Sequence, residues 1–132
     1  MSYTIKKISD MTQLPASTLR YYEKEHLLPA VKRTEVGNRI YDDQDLEWIF
    51  IITCLKDTNM PILDIKNFVA LCALGDKTLE ERRALIVAHK QSAQRQIEIL
   101  QQHMNHINRK VDYYNAACEA GTETVVKDEK CI

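Results

Sequence analysis

Residues 15–29 read PASTLRYYEKEHLLP and carry the strongest indication of the fold. Pro15 is well placed to begin a helix, because its fixed φ suits the first helical turn. We expect this helix to run to about Lys24. Helical spacing puts Leu19 and Tyr22 on an apolar face and gives the opposite face a different set of side chains: Ser17, Arg20, Tyr21 and Lys24.

A shorter helix is predicted upstream of this stretch. Thr4 can cap it, and its apolar side carries Ile5, Ile8 and Met11. Residues 13–15 read Gln-Leu-Pro and break the pattern. Two short helices joined by a tight turn are typical of a helix-turn-helix unit.

A small β-hairpin, or wing, is predicted directly after this unit. Residues 31–33 and 39–41 are two short β-type segments on either side of a turn at 34–38 that contains Gly37. This arrangement puts Arg33 on one arm of the hairpin and Arg39 on the other.

Two further helices are expected between the wing and residue 75. Asp42 is a candidate N-cap for the first, whose i, i+3, i+4 spacing indicates one apolar stripe: Leu46, Ile49, Phe50, Thr53 and Cys54. Pro61 is expected to begin the second, and Gly75 to end it. Its apolar positions are Ile62, Ile65, Val69 and Cys72, and we assign Cys72 to the core.

The C-terminal third carries a heptad repeat. Its seam positions are Leu79, Ile86, Ala93, Ile97, Leu100, Met104, Ile107, Val111 and Tyr114. The repeat extends over about 40 residues, or about 60 Å of helix. A single helix would leave this seam in water, and the N-terminal part is too short to cover it, so pairing with a second copy is favoured.

The predicted fold class is therefore mainly all-α. Residues 1–75 form a winged helix-turn-helix domain, 76–120 a coiled-coil dimerisation helix, and 121–132 a flexible tail. The longest apolar run, residues 48–52, is far too short for a membrane span, and no secretory signal is visible. Four widely spaced cysteines without a CxxC motif suggest a reducing cytoplasm, and no cofactor is expected.

The net charge of −1 does not indicate a polyanionic partner, so any such indication must come from local charge. Residues 17–39 hold five basic and three acidic side chains, a balance of +2. Charge alone fits a solvated helix face equally well. The order of helix, turn, helix and two-arginine hairpin favours double-stranded DNA, with these candidate contacts: Ser17, Thr18, Arg20, Tyr21, Lys24, Arg33, Arg39 and Tyr41.

The N-terminal part resembles the MerR family of bacterial regulators. The residues that carry the resemblance are TLRYYE at 18–23, LLP at 27–29, Arg33, Gly37, RIY at 39–41 and DDQDL at 42–46. The resemblance implies a cytoplasmic homodimer whose long helices pair antiparallel. It also implies that the dimer distorts a palindromic promoter for RNA polymerase. One departure is His26, where many relatives carry Gly at a left-handed position.

Cys54 is the candidate sensor. Its surroundings look like the aldehyde- and thiol-stress branch of the family, which implies that this thiol reacts with an electrophile or an oxidant. Packing of Cys54 in the apolar stripe is the competing interpretation. The sequence is also compatible with a copper- or zinc-type metal sensor that uses Cys118 and Cys131, and with a helical dimerisation adaptor without a sensor. A thiol enzyme is disfavoured, because no base partner or catalytic motif is evident.

Overall fold

The computed structural model describes residues 1–126. It is mostly helical with one small sheet, which confirms the predicted fold class. The elements in chain order are β1 Ser2–Thr4, α1 Ile5–Thr12, α2 Ala16–Lys24, β2 Lys32–Arg33, β3 Arg39–Asp42, α3 Asp43–Asp57, α4 Ile62–Ala73, a 3-10 turn Asp76–Thr78, α5 Leu79–Ala120 and a 3-10 turn Glu123–Val126. The chain divides into two compact units, Met1–His89 and the segment from Lys90 onward.

The helix-turn-helix forms as the sequence predicts. The Thr4 hydroxyl accepts a hydrogen bond from the Lys7 amide at 3.1 Å and so caps α1. Gln13 takes a left-handed φ of 60° between the helices. The Thr18 amide donates to the Pro15 carbonyl at 3.0 Å, so α2 starts directly after the proline.

The end of α2 is closed by His26 in a left-handed conformation with φ of 56°. The Leu27 amide donates to the Tyr22 carbonyl at 2.9 Å and the His26 amide to the Glu23 carbonyl at 3.1 Å. These two bonds make a Schellman motif, in which glycine usually takes the left-handed place. The left-handed residue expected at 26 is confirmed.

The sheet has three antiparallel strands in the order β1-β3-β2. The predicted wing is the β2–β3 pair, and Arg33 lies directly opposite Arg39 in its register. Gly37 has φ of 88° in the turn, a conformation that favours glycine. The sequence does not predict strand β1, because a pairing of three residues leaves no periodic signal.

The N-terminal unit has one continuous core. Its buried side chains are Ile8, Leu19, Tyr22, Leu27, Leu28, Tyr41, Ile49, Ile52, Leu55, Met60 and Ile65. They come from α1, α2, β3, α3 and α4 and from the adjoining loops. The core therefore holds the back of α2 and leaves its other face in solvent.

The apolar stripe predicted for α3 is partly wrong. Phe50 is 53% exposed, and Cys54 is also exposed, whereas Ile52 and Leu55 are buried with Ile49. Residues 48–52 are all apolar, so helical spacing fits more than one face. Packing against α1 and α4 selects among them.

Cys72 does not lie in the core, contrary to the prediction. It is half-buried, and its Sγ lies 3.9 Å from Nη1 of Arg82. The same guanidinium donates to the Gly75 carbonyl at 2.9 Å and to the Thr78 hydroxyl at 3.0 Å. Arg82 thus binds the first turns of α5 to the end of α4, and these turns belong to the N-terminal unit.

The unit that begins at Lys90 consists mainly of the rest of α5. Tyr113 and Ala117 are buried, and the Thr122 amide donates to the Ala117 carbonyl at 3.1 Å as the chain turns back. Within residues 1–126, no helix combines the length and the apolar character that a membrane crossing requires.

Candidate nucleic-acid interface

One face of α2 is open to solvent. Ser17, Arg20, Tyr21 and Lys24 are exposed, and Thr18 is half-buried. Leu19 and Tyr22 point the other way into the core. Helical phase assigns these residues to the same two faces. The open face offers a guanidinium, an ammonium, a phenol and hydroxyls, which suit phosphates and base edges.

Helix α2 contacts α3 through the side chains of Tyr21, on its open face, and Tyr22, on its buried face. The Tyr22 hydroxyl lies 3.1 Å from the Thr53 hydroxyl. The Lys56 ammonium lies 5.5 Å from the ring centroids of both Tyr21 and Tyr22, within cation–π range. A shift of α3 would therefore act directly on the helix that carries Arg20.

Both wing arginines contact one carboxylate on α2. Nη2 of Arg33 donates to Oε1 of Glu23 at 3.2 Å, and Nε of Arg39 donates to Oε2 of the same residue. Nη1 of Arg33 also donates to the Gly37 carbonyl at 3.1 Å. The structure thus brings Arg33 and Arg39 together beside α2. Glu23 was missed from the sequence, because a partner ten and sixteen residues away leaves no local signal.

The end of α2 is also fixed to α4. Nζ of Lys66 donates to Oε2 of Glu25 at 2.8 Å. This hydrogen bond and the nearby positive charge lower the pKa of Glu25. The two neighbouring glutamates at the end of α2 therefore have different partners, Glu23 on the wing and Glu25 on α4.

Tyr41 corrects one predicted DNA contact. Its side chain is fully buried in the core of the N-terminal unit, so it cannot reach a DNA surface. Its hydroxyl has no hydrogen-bond partner among residues 1–126. Burial is the main reason that the pKa of Tyr41 is raised. Arg39 and Tyr41 are two positions apart on β3 and share one face of the sheet, so alternation along the strand does not separate them. Tyr41 is buried because it packs into the core of the N-terminal unit, and no pattern within the strand indicates this.

None of the three described cysteines forms a disulfide. Cys54 and Cys118 are exposed, and Cys72 is half-buried. Cys131, the other member of the suggested metal pair, lies outside the described residues. In the part of the chain that the structure describes, no group of three or more His, Cys, Asp or Glu side chains could hold a metal ion.

The amino-acid sequence is similar to those of a known family of regulatory proteins. The sequence profile described as MerR HTH family regulatory protein matches residues 3–71. An HTH-type transcriptional regulator of Haemophilus influenzae is 38% identical over 126 residues, which cover 96% of this chain and 93% of the relative. The regulator AdhR of Bacillus subtilis is 36% identical over 87 residues, which cover 66% of this chain and 62% of that protein.

A solved structure agrees with these matches over nearly the whole chain. The crystal structure of HiNmlR, described as a MerR family regulator lacking the sensor domain and bound to promoter DNA, superposes with a TM-score of 0.87. The two chains are 38% identical, and the match covers 95% of this chain and 99% of HiNmlR. With its helix-turn-helix, its two-arginine wing and its long terminal helix, this chain belongs to the MerR family of DNA-binding transcriptional regulators.

Proposed function

We propose that the chain binds a palindromic promoter as a homodimer, in the cytoplasm of a bacterial cell, and distorts it to control transcription. The observation that carries this proposal is the joint surface of α2 and the wing. Arg20 and Lys24 lie on the exposed face of α2, and Arg33 and Arg39 lie beside it in the same compact unit. Phosphates flanking a groove would bind the arginines, while α2 would meet base edges.

Dimer formation would use the seam of α5. Eight of its nine positions are exposed in the single chain: Leu79, Ile86, Ile97, Leu100, Met104, Ile107, Val111 and Tyr114, with Ala93 half-buried. A helix of 42 residues with such a seam is expected to pair with an identical partner. Antiparallel pairing would hold two DNA-binding units at a fixed separation, which matches a palindromic site.

Control of transcription would then come from the shape of the bound DNA. Two units clamped on phosphates at a fixed separation can bend or twist the duplex between them. RNA polymerase would read the altered spacing of its promoter elements. The structure of HiNmlR is of a regulator bound to promoter DNA, which supports the DNA contact on which this proposed distortion depends.

The DNA-binding proposal predicts a steep salt dependence that Arg20→Ala reduces. We expect Arg20→Ala to weaken binding about 10- to 100-fold, because it removes a phosphate or base-edge contact. The measurement is fluorescence anisotropy on a palindromic duplex that the wild-type protein selects from a random pool, across a salt series. The logarithm of the wild-type association constant should fall by about 0.9 per phosphate contact and decade of salt.

Arg95→Ala is the matched control, because it removes the same charge from an exposed position on α5 outside the N-terminal unit. It should bind as the wild type does. Equal losses in the two variants, or a wild-type affinity that ignores salt, would contradict the proposed interface.

We further propose that Cys54 senses an electrophile. Its thiol would add to the carbonyl carbon of an aldehyde, and its proton would pass to the carbonyl oxygen to give a hemithioacetal. The thiol is exposed on α3, and two close neighbours on the helix contact α2: Thr53 through Tyr22, and Lys56 through Tyr21 and Tyr22. An adduct on Cys54 could therefore shift α2.

A sensor role predicts that Cys54→Ser abolishes the transcriptional response to formaldehyde while DNA affinity stays unchanged. Transcription in vitro with purified RNA polymerase measures the response, and mass spectrometry of the treated protein locates the adduct. Cys118→Ser serves as control, because Cys118 is also an exposed thiol. A Cys54→Ser variant that still responds fully would remove Cys54 as the sensor.

A further inference from the structure

We infer that Glu23 is a positioning residue that sets how well the protein distinguishes its operator from other DNA. Glu23 itself is a poor phosphate ligand, because its carboxylate is negative. Its place between Arg33 and Arg39 gives it another role, which rests on the proposed contact of the wing with DNA. That role is to fix where the two guanidinium groups can meet phosphates.

The geometry supports a positioning role. Each oxygen of the Glu23 carboxylate accepts from a different arginine, Oε1 from Arg33 and Oε2 from Arg39. The side chains of Glu23 and Arg39 are only 23% and 25% exposed, so this pair is partly shielded from solvent. Arg33 is 44% exposed and is held a second time by the Gly37 carbonyl.

This arrangement also joins the wing to the recognition helix. Glu23 is part of α2, one turn after Arg20, whereas Arg33 and Arg39 face each other across the hairpin. The carboxylate therefore fixes the register between the groups on α2 and the two arginines. Guanidinium groups have several N–H donors, so Arg33 and Arg39 can contact phosphates while they remain bound to Glu23.

The charge of the cluster leads to a second consequence. Two arginines and one glutamate leave a net charge of +1, so Glu23 lowers the attraction of the wing for any phosphate backbone. Non-specific binding depends almost entirely on that attraction, whereas operator binding also needs the correct register. Glu23 should therefore weaken non-specific binding more than operator binding.

The test compares Glu23→Gln with Glu25→Gln. Both variants remove one negative charge near the end of α2, but Glu25 pairs with Lys66 on α4 and not with the wing. Anisotropy titrations on the selected operator and on a random duplex, each across a salt series, give the specificity ratio and the salt slope. Thermal unfolding checks that each variant is folded.

For Glu23→Gln we expect tighter binding to the random duplex, a steeper salt slope and a specificity ratio that falls about tenfold. Glu25→Gln should have the same specificity ratio as the wild type. Loss of affinity by the same factor on both duplexes in Glu23→Gln would indicate a merely structural role and overturn the inference. An unchanged ratio and salt slope would overturn it as well.

Glu23→Asp separates the effect of the position of the carboxylate from the effect of its charge. It also replaces Glu23→Gln as the test if that variant folds poorly. It keeps the negative charge but draws the carboxylate back toward α2. The salt slope should therefore match that of the wild type, while the specificity ratio falls by less than in Glu23→Gln. A specificity ratio in Glu23→Asp equal to that of the wild type would rule out positioning. If the wild-type protein itself shows no salt-dependent binding, the proposed DNA interface fails, which is a different outcome.

Discussion

Leu100→Asp is expected to convert the protein from a dimer to a monomer and to weaken its binding to a palindromic duplex more than about 100-fold. Leu100 is 67% exposed in the single chain and lies near the middle of the α5 seam. In the proposed dimer, both copies would bury an aspartate in an apolar seam, where an unpaired charge is strongly unfavourable. Each DNA-binding unit would then bind DNA by itself, and the gain in affinity that comes from linking two units would be lost.

Sedimentation equilibrium measures the mass of the protein in solution and so its oligomeric state. Fluorescence anisotropy measures its affinity for the palindromic duplex. Gln102→Asp is the matched control, because it introduces the same residue on the same helix, two positions along and off the seam. It should remain dimeric and bind normally. A dimeric Leu100→Asp protein would show that α5 does not pair through this seam.

Tyr41→Ala is expected to lower the free energy of unfolding by about 3–5 kcal/mol. Tyr41 is fully buried and its ring fills the space between the sheet and the helices of the N-terminal unit, so truncation leaves a cavity. Urea unfolding followed by circular dichroism measures the change. A loss below about 1 kcal/mol would mean that the site collapses easily or that the ring is not buried.

Tyr41→Phe is the matched control, since it removes only the hydroxyl. That hydroxyl has no partner among residues 1–126, so Tyr41→Phe should be at least as stable as the wild type, by up to about 1 kcal/mol. Burial raises the pKa of Tyr41, so the stability linked to its neutral form is complete below the unfolded pKa and is lost as the pH rises. The advantage of Tyr41→Phe should therefore grow above about pH 10. A constant difference across that range would contradict the buried hydroxyl.

Much of the fold could be predicted because local rules are strong in this chain. Thr4 and Pro15 mark the starts of α1 and α2, and the pattern of residues 31–41 indicates the hairpin. The two faces of α2 follow from helical spacing alone. The left-handed residue at His26 was expected from the resemblance to the MerR family. Each of these features depends on residues within a few positions of one another.

The errors arose where packing against segments distant in the sequence determines which side chains are buried. Residues 48–52 are apolar on all sides, so spacing within α3 could not tell that Ile52 is buried and Phe50 exposed. Helical spacing also placed Cys54 and Cys72 in apolar stripes, and the structure leaves the first exposed and the second beside Arg82. Packing against neighbouring helices decided these cases.

The helix-turn-helix, the two-arginine wing and the heptad pattern could be recognised in the amino-acid sequence, because they depend on short-range periodicity, caps and turns. The burial of Tyr41 and the contact of Glu23 with both wing arginines became visible only in the folded chain. Burial and ion pairing depend on which segments pack against each other in space, and contacts between distant segments have no fixed spacing in the sequence.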